Sequence, residues 1–207
     1  MRSDRYLSDE EIRNSIRAKK RKRRRIVSSL LIVVILVLSF GSARYLGKTI
    51  GNRKYEREIE TVSVVDTSVP IVNTAIKQIG NHGGGPFWSW YGFGGRVAWC
   101  ACFVSWCEAQ NGYISNGLAP KFAVTSDGIN WFKARGQWLG KDEIPEAGDI
   151  VFFDWEQDGG DDHVGIVTGV SDDRVYTVEG NSTDMCRIKS YEIGAKVLIG
   201  YGHIKAN

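Results

Sequence analysis

The chain changes character twice along its length. After a basic run from Arg17 to Arg25, the fifteen residues Ile26–Phe40 carry no charge, and Gly41-Ser42-Ala43 extend the uncharged stretch to eighteen. This segment is apolar on every side, with no amphipathic period, which does not suit a helix lying half-buried on a globular core. As a helix rising ~1.5 Å per residue it would cover about 27 Å, close to the hydrocarbon thickness of a bilayer. Residues 44–67 are mixed and polar and read as a tether.

From Ser68 the pattern becomes that of a folded domain. Ser68-Val69-Pro70 predicts a helix start with proline in the first turn. Ile71, Ala75, Ile76 and Ile79 then recur at helical spacing, and Gly80 suits the end. The glycine-rich aromatic stretch His82–Gly95 reads as a loop. A second helix is expected from Trp99 to Gln110, stopped by Asn111-Gly112, with Trp99, Phe103 and Trp106 on one face. A third, short helix fits 126–134. From Asp149 the period becomes strand-like, in Asp149–Trp155, His163–Val170, Arg174–Glu179 and Val197–Ile204. Helices followed by strands predict an α+β fold, with the helices packed on an antiparallel sheet. No internal repeat is visible.

Charge sharpens this division. The chain has 27 Lys+Arg and 24 Asp+Glu, a net +3. Residues 1–60 hold 16 basic and 7 acidic side chains, a balance of +9, which leaves −6 on the remainder. The basic excess lies off the folded part, so a nucleic-acid-binding role is excluded. Beside an apolar span it is instead a topology signal. The expected organisation is a basic cytoplasmic tail (1–25), a transmembrane anchor (26–43), a tether (44–67) and a folded domain outside the membrane (68–207). Gly41 and Ala43 stand where a signal peptidase would cut, so secretion after signal cleavage is the alternative. Both readings put the domain in the same compartment. An apolar share of 43% and a charged share of 25% rule out wholesale disorder. Four cysteines are too few for a disulfide scaffold.

Cys100 falls near the start of the second helix, where the helix dipole favours thiolate over thiol. A thiolate nucleophile needs an imidazole to pair with it and later protonate a leaving amine. Of His82, His163 and His203, His163 begins a strand after the turn Asp158–Asp162, at the sheet's edge. Glu179 ends the next strand on the face it shares with Val175 and Thr177, and Asn181 follows two residues on. Such a set performs acyl transfer. The thiolate attacks an amide carbonyl, backbone N–H groups at the helix start hold the oxyanion, and His163, oriented by Glu179, handles the protons.

Cys102 and Cys107 read as small packing residues, and Cys186, in a polar turn, as free or paired. The cysteines lack zinc spacing. The carboxylates Asp154, Glu156, Asp158, Asp161 and Asp162 form an incomplete calcium pattern, better read as a solvated acidic loop. His82 and His203 are given no catalytic role. No metal or cofactor is expected. Trp88, Trp90 and Trp99 are the candidate substrate-binding residues, and Tyr91 is a further aromatic able to stack on a sugar ring.

Four motifs in order carry a family resemblance. They are Ala98-Trp99-Cys100-Ala101-Cys102-Phe103-Val104-Ser105-Trp106-Cys107, Pro145–Phe153, Asp162-His163-Val164-Gly165-Ile166-Val167 and Val178-Glu179-Gly180-Asn181. With them the chain resembles a CHAP domain, the cysteine- and histidine-dependent amidohydrolase/peptidase group of the papain-like cell-wall hydrolases. The resemblance covers residues 70–204. It implies a papain-like fold, Cys100 as nucleophile, His163 as base, Glu179 as orienting acid and Asn181 as a polar residue that helps hold the site. It also implies peptidoglycan as substrate, cut at the N-acetylmuramoyl–L-alanine bond or within the stem or cross-bridge. Some members bind calcium just before the nucleophile. Here Gly92–Ala98 has no carboxylate to do so. The competing reading is a cell-wall-binding or secretion-machine subunit that uses the fold without catalysis.

Overall fold

The computed structural model describes residues 64–205. The basic tail, the expected anchor and nearly all of the tether lie outside the described residues, so the boundaries drawn there stay expectations. Among the described residues no helix is long and apolar enough to cross a membrane.

Among the described residues, four helices precede and flank one sheet. They are α1 (Pro70–Ile76), α2 (Gly85–Tyr91), α3 (Cys100–Gln110) and α4 (Thr125–Ala134). The strands are β1 (Trp138–Gly140), β2 (Ile150–Phe153), β3 (His163–Ser171), β4 (Arg174–Glu179), β5 (Arg187–Glu192) and β6 (Leu198–Gly202). They form a single six-stranded sheet in the order β1-β6-β2-β3-β4-β5, with every neighbouring pair antiparallel. The α+β architecture agrees with the order of periods in the sequence.

The sheet is buried on two faces. Ile150, Phe152, Val164, Ile166 and Val178 point into the main core with residues of α1, α2, α3 and α4. Val151, Phe153, Val167 and Val175 point the other way, into a smaller cluster closed by Leu198 and Tyr201. This explains why β2 reads Ile-Val-Phe-Phe without alternation, since a strand covered on both sides needs apolar groups at every position.

Several expected elements differ in detail. The first helix stops at Ile76, a turn before Gly80. Ser68 does not cap it; its amide and hydroxyl both donate to Asp66 Oδ1, at 3.0 and 2.6 Å. The stretch expected to be loop contains α2. Its body, Phe87-Trp88-Ser89-Trp90-Tyr91, is free of glycine, Pro86 lies in its first turn, and Gly84 and Gly92 bracket it in left-handed backbone. Buried Phe87 stacks on Trp99 and meets Phe103 and Trp106 edge-on, so tertiary packing decides the segment. Strands β1 and β5 were not expected from the sequence. Both are edges, and β5 exposes Arg187, Lys189 and Glu192.

Candidate active site

Each candidate catalytic residue stands at the end of an element. Cys100 is the first residue of α3, and the opening N–H groups of a helix have no partner within it. His163 opens β3, opposite Phe153 at the end of β2. Glu179 closes β4, one step beyond the Ile166–Val178 pair. Two glycines let these ends meet. A Cβ on Gly180 would fall 2.6 Å from Phe103 Cβ, so its absence lets the first turn of α3 settle on the end of β4. A Cβ on Gly165 would come within 2.7 Å of Glu179 Cγ, so that glycine makes room for the carboxylate.

His163 Nε2 lies 3.1 Å from Glu179 Oε2. Cys100 lies near enough to the same imidazole to interact with it electrostatically. All three side chains are buried, Cys100 retaining 7% exposure. Burial opposes charge on the ring, but the interactions with Cys100 and Glu179, with the negative charges behind them, outweigh it and raise His163 from 6.5 to about 9. At neutral pH the ring is thus an imidazolium able to donate from both nitrogens.

The carboxylate is itself held. Thr177 Oγ1 donates to Glu179 Oε1 at 2.7 Å. Tyr191 lies beside Glu179 and Trp155, and burial together with the nearby carboxylate pushes the phenol's pKa up. Trp155 then lies flat on the imidazole, ring centroids 4.0 Å apart and planes at 24°. Sequence reasoning missed Thr177, Tyr191 and Trp155 as parts of the site. The shared face of Thr177 and Glu179 was the one available signal; β5, which brings Tyr191, left none.

The remaining expectations resolve residue by residue. Asn181 is half-buried in the turn after β4 with φ 58°. The strand ends at Glu179, so alternation does not carry Asn181 onto Glu179's face. Burial raises Cys102 to about 11 and Cys186 to about 12, and raises Cys107 well above its ordinary value. All four cysteines are free. Trp99 is wholly buried, which corrects its expected place in a substrate wall: it packs under the site. Trp88 is half-buried and donates its indole N–H to the Gly83 carbonyl at 2.9 Å. Trp90 is exposed, with Lys121 Nζ 4.8 Å from its ring centre.

The acidic loop turns its carboxylates onto its own backbone. Asp154 accepts from the amides of Asp158 and Gly159, and Asp162 from that of Glu156. Among the described residues no group of His, Cys, Asp and Glu is placed to hold a metal ion. His203 Nδ1 lies 2.9 Å from buried Asp149, away from the site.

Residues 90–181, which span Cys100, His163, Glu179 and Asn181, match the family model of the CHAP domain. Over that segment the chain is similar to the CHAP domain family. Two solved structures are similar over part of their length. One is Ly7917, at 19% identity and a TM-score of 0.43, over 66% of this chain and 62% of that one. The other is a Staphylococcus aureus Mu50 protein described as similar to a lipoprotein of the NLP/P60 family, at 22% identity and 0.37, over 72% and 42%. The chain thus spans less than two thirds of either. No curated protein matches it.

Proposed function

We propose that this protein hydrolyses an amide bond of peptidoglycan, with Cys100 as nucleophile, His163 as acid and base, and Glu179 as the orienting acid. The observation that carries the proposal is the buried set Cys100, His163 and Glu179, in which the imidazole meets the carboxylate at 3.1 Å and interacts with the Cys100 sulfur. His163 supports Cys100 as the thiolate nucleophile. The thiolate adds to the amide carbonyl, and the free N–H groups at the start of α3 receive the oxyanion. His163 gives its proton to the leaving amine, and the C–N bond breaks to leave a thioester on Cys100. The now neutral ring takes a proton from water, whose hydroxide adds to the thioester and releases the acid, regenerating the Cys100 thiolate beside the imidazolium. Asn181, in the turn beside Glu179, helps hold the site. Trp88 and Trp90, on α2, are the aromatic residues offered to the substrate, Trp90 with an exposed face able to stack on a sugar ring.

The tail and the apolar segment support a membrane tether that leaves the domain outside, with secretion after cleavage as the variant reading. A binding-only role has no use for a thiol held against an imidazolium. The bond cut is either the N-acetylmuramoyl–L-alanine amide or a peptide bond in the stem or cross-bridge. Mass spectrometry of muropeptides after digestion tests this. An amidase strips whole stems and exposes L-alanine amines; an endopeptidase leaves stem remnants on the glycan. Intact muropeptides after prolonged digestion would refute hydrolysis of this substrate.

A further inference from the structure

The turn after β4 also reaches the nucleophile's helix. Within it Asn181, Thr183 and Asp184 all take left-handed backbone, with φ of 58°, 54° and 60°. This is uncommon for residues other than glycine and an outlier for a β-branched threonine. It persists where the surroundings over-determine it. Here the turn is sewn to the segment ahead of α2. Gly83 N donates to Asp184 O at 3.1 Å, and Gly80 N to Cys186 O and Cys186 N to Asn81 O at 2.9 Å each.

The Asp184 side chain completes the seam. Trp99 Nε1 donates to its Oδ1 at 3.3 Å. Arg96 Nη2 lies 2.5 Å from the same oxygen, and His82 Nε2 lies 3.2 Å from Oδ2. Trp99 immediately precedes Cys100. Its indole is wholly buried and lies so close over Gly84 that a Cβ there would come 2.2 Å from Trp99 Cδ2. The indole therefore has one seat, and Asp184 holds its polar edge.

We propose that Asp184 is a positioning residue for the Cys100 nucleophile, acting through the indole N–H of Trp99. The inference rests on the reading of Cys100 as nucleophile. Asp184 lies in the turn that begins at the end of Glu179's strand, and Trp99 is the residue on which α3 starts. Their hydrogen bond braces the end that orients His163 against the end that presents the thiol. A displacement of ~1 Å between reacting groups costs about a hundredfold in rate, so a short brace at this junction acts on turnover. Arg96 and His82 are largely exposed, and such ion pairs contribute little by themselves. The Trp99 bond carries the effect. Asp184 falls three residues past the matched family segment.

The test is a double-mutant cycle on the full chain with peptidoglycan as substrate, run below the melting point of every variant. Asp184→Gly deletes the carboxylate at a φ that glycine adopts freely, so backbone strain does not confuse the result. Trp99→Phe keeps a ring and removes the N–H. Asp184→Asn keeps an oxygen for the indole and tolerates the left-handed backbone. Positioning predicts that the Gly and Phe variants each lose at least about tenfold in kcat with KM within about twofold. The double variant should be no worse than the poorer single, and Asp184→Asn should keep most of the activity. Unchanged kcat in Asp184→Gly overturns the proposal, as do additive losses in the double variant or a loss confined to KM. If Cys100→Ser, assayed alongside, retains full activity, the reading of the nucleophile fails instead.

Discussion

His163 Nε2 and Glu179 Oε2 meet at 3.1 Å where neither side chain reaches solvent, with exposures of 3% and 0%. The ring consequently holds its proton to about pH 9. Below that value the imidazolium can protonate the leaving amine; above it the acid is gone. The basic limb of the kcat/KM profile should therefore fall near pH 9, as a property of the coupled Cys100–His163 pair. In Glu179→Gln the carboxylate charge that helps raise the ring is lost, and the limb should move down toward the ordinary 6.5. A limb that stays in place would show that Glu179 does not set the charge of the ring.

Trp155, itself partly exposed, stacks on the buried imidazole. An aromatic face over an imidazolium favours the charged form by about 0.5–2 kcal/mol. Trp155→Ala should shift the basic limb downward and lower kcat, whereas Trp155→Phe, which keeps a face on the ring, should hold the limb near its original position. The pH–rate profiles of the two variants decide it.

Gly165 is an ordinary strand position apart from what it faces. Alanine there requires no unusual φ, but its Cβ would stand 2.7 Å from Glu179 Cγ and 3.2 Å from the Val178 carbonyl. Gly165→Ala should therefore displace the carboxylate and reduce kcat by about tenfold or more. The paired measurement is kcat and melting temperature. A folded variant with full turnover would mean that the strand yields instead.

Glu108 lies on α3, fully buried, with no hydrogen-bond partner for either carboxylate oxygen among the described residues. Burial raises its pKa well above 4.5. A group raised in the folded state contributes stability that is present below its unfolded pKa and lost as pH rises through the folded value. Glu108→Gln should thus match the parent near pH 4 and melt higher than it at pH 8. Thermal denaturation of both proteins across that range checks the sign.

Much of the candidate site was legible because Cys100, His163 and Glu179 sit at element ends that the sequence marks clearly. Helix period begins at Trp99, a turn precedes His163, and alternation ends at Glu179. What surrounds them was not legible. Tyr191 arrives on an edge strand whose Arg-Ile-Lys-Ser-Tyr-Glu sequence lacks an apolar run, because only one of its sides is paired and little of it is buried. Trp155 follows β2 in an acidic loop, and its stack on His163 is a tertiary contact with no local signature. Trp99 was misjudged because a large aromatic beside glycines reads equally as wall or core; the close seat on Gly84 and the bond to Asp184 decide for core. Glycine density likewise concealed α2, whose hold is the packing of Phe87.

The central claim is that Cys100 makes and breaks a covalent bond to an amide of the cell wall. Release of new amine termini from purified peptidoglycan, followed for the parent protein and for Cys100→Ser, measures this most directly. The account predicts steady release by the parent and none above background by a folded Cys100→Ser. Equal release by the two proteins would contradict it.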